Sequence, residues 1–190
     1  MRIERASLLN ASGSEVADLM FDPQVMAFLL RPLVAVEPID PPVFPRRWIP
    51  GRFRVRMRLF GFISLGWQDI VVADVQADSA AQRWALRDTG SGALARRWDH
   101  RLSVEGCDDR RARYTDRLDI EAGMLTLPSW LFAQALFAWR HHRVAGPYRE
   151  QAAAVMPLRP AARRPSRTGS IPTLRPPCAR LPRRSASRST

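Results

Sequence analysis

Between residues 52 and 59 arginine alternates with apolar side chains: Arg52, Arg54, Arg56 and Arg58 on one parity, Phe53, Val55, Met57 and Leu59 on the other. A period of two sends the two sets to opposite faces of an extended chain, so this segment reads as a half-buried β-strand. Gly61 and Gly66 bracket a bend or bulge after it. Further strands are expected over 67–75, 82–88, 94–104 and 112–120, the third and second separated by a tight turn at Thr89-Gly90-Ser91-Gly92 and the last two by a turn over 105–109. Consecutive strands joined by short turns make an antiparallel meander.

Upstream, residues 3–9 suit a first strand, and Ser12-Gly13-Ser14-Glu15 has the spacing of a capping box opening a short helix over 16–20. Asp22-Pro23 then supplies an N-cap and a first helical residue for a second short helix through Leu29. Pro32 closes it, a short strand over 33–36 follows, and five prolines within residues 38–50 predict a loop. Downstream, 127–143 reads as a long helix with Thr126 as N-cap and Gly146-Pro147 as its stop. Its apolar residues form two ridges, Leu131, Phe132, Ala135, Leu136 and Trp139 on one and Trp130, Ala133 and Phe137 on the other. A helix apolar nearly all round needs more than one buried partner. The sheet is one; the second can be a ligand, another subunit in a homodimer, or the chain itself.

Composition separates a body from a tail. Residues 1–148 carry 20 Arg against 17 acids, whereas 149–190 carry 10 Arg against Glu150 alone, with seven prolines and no aromatic residue. The domain is therefore placed at 1–148 and the remainder read as a disordered Arg/Pro/Ser-rich tail. Its restricted alphabet also resembles GC-rich DNA read out of frame. All 30 basic residues are Arg, whereas a surface selected for phosphate contacts usually mixes in Lys; nucleic-acid binding is expected, if at all, only through the tail. Cys107 and Cys178 suggest neither a disulfide framework nor a metal site. The N-terminus lacks the apolar run of a secretory signal, and the longest apolar stretch, 127–139, is too short to span a bilayer. A cytoplasmic location is expected.

Three segments carry a family resemblance. Arg54-Val55-Arg56-Met57-Arg58-Leu59-Phe60-Gly61 leads to Leu65-Gly66-Trp67; Trp98-Asp99-His100-Arg101-Leu102 follows; Tyr114-Thr115-Asp116-Arg117-Leu118 then leads through Ala122-Gly123 into the closing helix. In order and spacing these resemble the START-like, helix-grip superfamily, and within it the bacterial SRPBCC, polyketide cyclase-like group, over residues 1–145. The resemblance implies an α+β fold in which a curved antiparallel sheet of six or seven strands wraps a long C-terminal helix, with two short helices near the N-terminus. It also implies a hydrophobic cavity between sheet and helix. Gly106-Cys107-Asp108-Asp109-Arg110-Arg111 departs from the glycine-rich turn usual in that group, and the tail has no counterpart there.

His100 and Asp116 are the pair expected to carry polar chemistry. Alternation places Trp98, His100 and Leu102 on one face and Tyr114, Asp116 and Leu118 on one face of the next strand, and a turn centred at Asp108 makes positions 100 and 116 cross-strand neighbours. A carboxylate beside an imidazole can fix its tautomer and serve as an anchor or a general acid/base. The plainer alternatives are a satisfied buried pair, or both groups in solvent after a slip of one residue. Phe53, Met57, Trp84, Trp98, Tyr114, Trp130 and Phe137 can line a cavity around them, or simply be packed core. His141-His142 reads as the solvated end of a helix, because adjacent helical residues diverge by about 100°, and the arginine ladder as a solvated face aided by Asp69 or Asp74.

The functional reading is a binding module for a small hydrophobic molecule, with no cofactor and no metal. The alternatives are a cyclase/dehydratase-type enzyme using His100 and Asp116, and an interaction protein acting through the tail.

Overall fold

The computed structural model describes residues 1–146. The strand read from the arginine alternation is β3 (Gly51–Leu59), with Phe53 and Val55 buried and Met57 half-buried on the inner face. On its outer face Arg52 and Arg54 donate to Asp69, and Arg58 to Glu37. Asp69 thus fills the role expected of it, whereas Asp74 accepts from Gln76 instead.

Seven strands form one antiparallel sheet: β1 (Arg2–Leu9), β2 (Val34–Asp40), β3, β4 (Ile63–Asp78), β5 (Arg83–Gly92), β6 (Arg97–Asp108) and β7 (Arg111–Glu121). Their order is β1-β7-β6-β5-β4-β3-β2, so the meander runs from β2 to β7 and the first strand returns to flank the last. The helices α1 (Gly13–Met20) and α2 (Pro23–Leu30) carry the chain from one sheet edge to the other. Both starts follow the local chemistry. Ser12 and Glu15 form the capping box reciprocally, and the Asp22 carboxylate accepts from the amides of Gln24 and Val25.

After a short 3₁₀ turn (Gly123–Leu125), α3 (Thr126–Ala145) lies back across the inner face, contacting β1, β7 and α2. Thr126 is not its N-cap, as the sequence suggested, but its first residue: Oγ1 donates to the Gly123 carbonyl and accepts from the Ala122 amide, holding the preceding turn. The inward face is Ser129, Ala133, Phe137, Arg140 and Val144, while Leu131 and Ala135, from the stripe expected to be buried, are exposed. Two indoles pin the helix at either end, Trp130 donating to the Arg2 carbonyl and Trp139 to the Arg31 carbonyl.

Three local expectations are corrected. β2 continues through Pro38 to Asp40, because a proline is tolerated on an edge strand and a bulge takes up the irregularity there. Gly90 and Gly92 are not turn residues but the end of β5, and the turn comes at 93–96. A Cβ on Gly90 would overlap the Asp69 carbonyl oxygen of the neighbouring strand, so it is close strand approach that requires glycine. The β6–β7 turn is centred one residue later than expected, with a bulge at Gly106/Asp108, so Asp116 lies opposite Leu102 and His100 opposite Leu118.

The core is a set of adjoining clusters on the inner face. The largest packs Trp84, Val104 and Tyr114 of the sheet against Val16 of α1, Phe21 just after it and Leu29 of α2. A second joins Ile3, Leu118 and Ile120 to Ala133 and Phe137 of α3. Cys107 is buried near the end of β6. Cys178 and the tail read at 149–190 lie outside the described residues. Among the described residues no helix is long and apolar enough to cross a membrane.

Candidate functional site

The meander presents one parity of each strand to α3, and the two surfaces do not close completely. A cavity of about 110 Å³ remains between them, its apolar wall including Met57 of β3, Ile70 of β4, Leu86 of β5, Trp98 of β6 and Phe137 of α3. Gln68, Asp88, His100, Ser129 and Arg140 interrupt that wall with polar groups. Asp88 and His100 are direct cross-strand neighbours on β5 and β6.

Behind the His100 ring sits Asp116, almost wholly enclosed. His100 Nε2 donates to Asp116 Oδ1 at 2.7 Å, and His141 Nε2 donates to Oδ2 at 3.1 Å. The Tyr114 hydroxyl donates to Oδ2 as well, and the Arg140 guanidinium lies 3.7 Å from Oδ1. Ser7 of β1 completes the chain by donating its hydroxyl to His141 Nδ1 at 2.8 Å. His100 and Asp116 thus meet although they are diagonal rather than opposed. The turn moved by one residue, which displaces the pairing by two and leaves every side chain on its original face.

The electrostatics follow from enclosure. Burial works to raise the Asp116 carboxyl, but Arg140 and the hydrogen bonds from His100 and His141 outweigh it and hold the group well below the usual carboxylate range. Burial, reinforced by this neighbouring carboxylate, pushes the Tyr114 phenol well above its ordinary value, so it stays a donor. Asp88 behaves oppositely to Asp116. Burial raises it to about 7, and the amides of Val71 and Gly90, both donating to Oδ1, only partly offset the desolvation. On the outer face Asp69 is drawn down to about 2, chiefly by its hydrogen bond from Arg54, against the effect of burial. With Nε2–H committed to a carboxylate, His100 keeps Nδ1 as its remaining proton acceptor.

Of the residues the sequence singled out, Met57, Trp98, His100 and Phe137 line the cavity. Asp116 and Tyr114 stand behind it as support for the imidazole. Phe53 and Trp84 pack in the main core, and Trp130 packs beside the second cluster, all three away from the cavity wall. His141 corrects the expectation of a solvated helix end, being buried and bonded on both ring nitrogens, whereas His142 is exposed. Arg140, Gln68 and Asp88 were not anticipated, though the signal existed. Arg140 and His141 follow Phe137 by three and four residues on one helix face, and Asp88 and Gln68 share parity with Leu86 and Ile70. Among the described residues no group of His, Cys, Asp and Glu is arranged to hold a metal ion.

A family model described as a domain of unknown function, DUF8410, matches residues 7–148. No curated protein matches the chain. Among solved structures it is similar to the Zhui aromatase/cyclase from Streptomyces sp. R1128, with a TM-score of 0.56 and 13% identity over 82% of this chain and 96% of that one. A protein of Chromobacterium violaceum gives 0.55 and 11% identity over 77% and 99%. A point mutant of norcoclaurine synthase from Thalictrum flavum, solved with a transition-state analogue, gives 0.52 and 8% over 82% and 95%. Likeness at such low identity establishes the fold, which is the START-like helix-grip fold.

Proposed function

We propose that this chain, which belongs to the DUF8410 family, binds a small, largely apolar molecule in the cavity between its sheet and α3, with His100 as the polar anchor. The observation that carries this reading is a cavity of about 110 Å³ walled by side chains from the six strands β2 to β7 and from all three α-helices, with a few polar groups converging on it. It is about three-quarters the size of an apolar cavity of about 150 Å³ that accommodates benzene, which limits the ligand to no more than a single ring. Asp116, Tyr114 and His141 hold the His100 ring in one orientation, the kind of support that makes an anchor specific.

Native mass spectrometry of the full chain tests for a retained compound, and an NMR titration with benzene tests the cavity directly. Benzene is expected to bind the wild type and to be excluded by Leu86→Phe, which fills the wall from β5. Equal binding by both, or none by either, would overturn the proposal.

One observation favours acid/base catalysis as a second reading. An imidazole at the cavity wall backed by an ionised carboxylate can take a proton at Nδ1 and return it. In that case the chain catalyses loss of water from a β-hydroxy ketone, followed by absorbance of the enone. His100→Ala then abolishes turnover while benzene affinity stays within about tenfold.

A further inference from the structure

Two of the residues that line the cavity each carry a buried nitrogen donor with no acceptor. Gln68 is 6% exposed and Arg140 5% exposed, and neither Gln68 Nε2 nor Arg140 Nε makes a hydrogen bond within the protein. Both side chains line the same cavity, Gln68 from β4 and Arg140 from α3. Buried donors are almost always paired, because stripping water from an N–H without replacing it costs more than a made hydrogen bond contributes. Packing does not require a polar side chain at position 68, since Ile70, on the same face of the same strand, supplies an apolar one. The rest of Arg140 is occupied: its Nη1 faces Asp116 and its Nη2 approaches the Met20 sulfur.

From this pair we infer that the ligand is a single-ring ketone whose carbonyl oxygen accepts from Gln68 Nε2 and Arg140 Nε. The inference rests on the cavity being a binding site. It goes further by choosing between a hydrocarbon, which would leave both donors stranded, and a molecule with an acceptor oxygen. A carbonyl fits better than a carboxylate, because the Arg140 charge is already matched by Asp116. Asp88, also on the wall, gives a second reason. Burial raises it to about 7, so near neutral pH it is either a neutral O–H donor, which suits a carbonyl, or an anion, which repels a carboxylate.

Cyclopentanone and methylenecyclopentane have nearly the same shape and differ in C=O against C=CH₂, so they separate the two possibilities. A purely apolar cavity prefers the alkene by more than tenfold, since only the ketone must give up hydrogen bonds to water. NMR titration of the full-length protein should instead show the ketone binding at least as tightly as the alkene. In Gln68→Met, close in shape but without the donor, the ketone should weaken about tenfold while the alkene holds or improves. Retained alkene binding also reports that the variant is folded. An alkene preference of tenfold or more in the wild type, as when bound water satisfies the donors, overturns the inference but leaves apolar binding intact. A ratio unmoved by Gln68→Met does the same. If neither compound binds, the cavity is not a ligand site and both readings fall together.

Discussion

Replacing Asp88 by asparagine tests a buried carboxyl whose ionisation is displaced upward by desolvation. Asp88 is buried on β5, with the Val71 and Gly90 amides donating to Oδ1 at 2.8 and 2.9 Å, and burial raises its carboxyl to about 7. In the unfolded chain an aspartate titrates near 3.9. The folded value is the higher one, so the stability due to this group is fully present below about pH 4 and is lost as pH rises toward 7. Between pH 5 and pH 8 the linkage relation gives a loss of about 2.5 kcal/mol. Asparagine keeps an oxygen for the two amides but carries no titrating proton, so Asp88→Asn lacks this slope. Urea unfolding of both proteins at pH 5 and pH 8 measures it, and subtracting one from the other cancels titrations common to the two. The variant should gain about 2.5 kcal/mol on the wild type across that interval. A difference that stays constant within about 0.5 kcal/mol would mean Asp88 is already ionised at pH 5, and the argument from desolvation would fail.

The two neighbouring histidines should behave very differently. His141→Ala removes a donor to a buried carboxylate together with a packed ring, and should cost about 2–4 kcal/mol in urea unfolding; His142→Ala, at an exposed position, should stay within about 0.5 kcal/mol. Gly90→Ala places a methyl against the Asp69 carbonyl and should cost more than about 3 kcal/mol or prevent folding, whereas Gly61→Ala, open around its Cβ but at φ +83°, should cost about 1 kcal/mol. Thermal melting of the two glycine variants side by side distinguishes steric overlap from backbone strain.

Strand parity was legible because it is a local property. Phe53, Val55 and Met57 had to share a face whatever their neighbours were, and the same holds for His100 and for Asp116. Caps were legible for the same reason: Ser12, Glu15 and Asp22 satisfy amides within three residues of themselves. What failed was information held by another strand. Gly90 and Gly92 look like a turn in isolation, but the requirement for glycine comes from the backbone of β4 at Trp67–Asp69. The bulge at Gly106/Asp108 moved the pairing partner of Asp116 without a mark in the sequence that separates it from a plain turn. His141 was misjudged by reading it together with His142 as the solvated end of the helix. Placed instead on the helical face of Phe137, it falls inward, where Asp116 can only be reached once β7 and α3 are packed together.

β1 flanks β7, and its Ser7 joins the same hydrogen-bonded chain as His141, so the described polypeptide closes on itself at the site. Residues from positions 7, 100, 116, 140 and 141 must meet there, which makes the site an assembly of long sequence separation. Contacts of that kind form late, because the intervening chain must first be ordered. A ribosome-bound chain lacking α3 would therefore carry most of the sheet and none of the polarised His100–Asp116–His141 geometry. Binding competence would then arrive only once α3 has been made and packed, and ligand capture would report that this helix is in place.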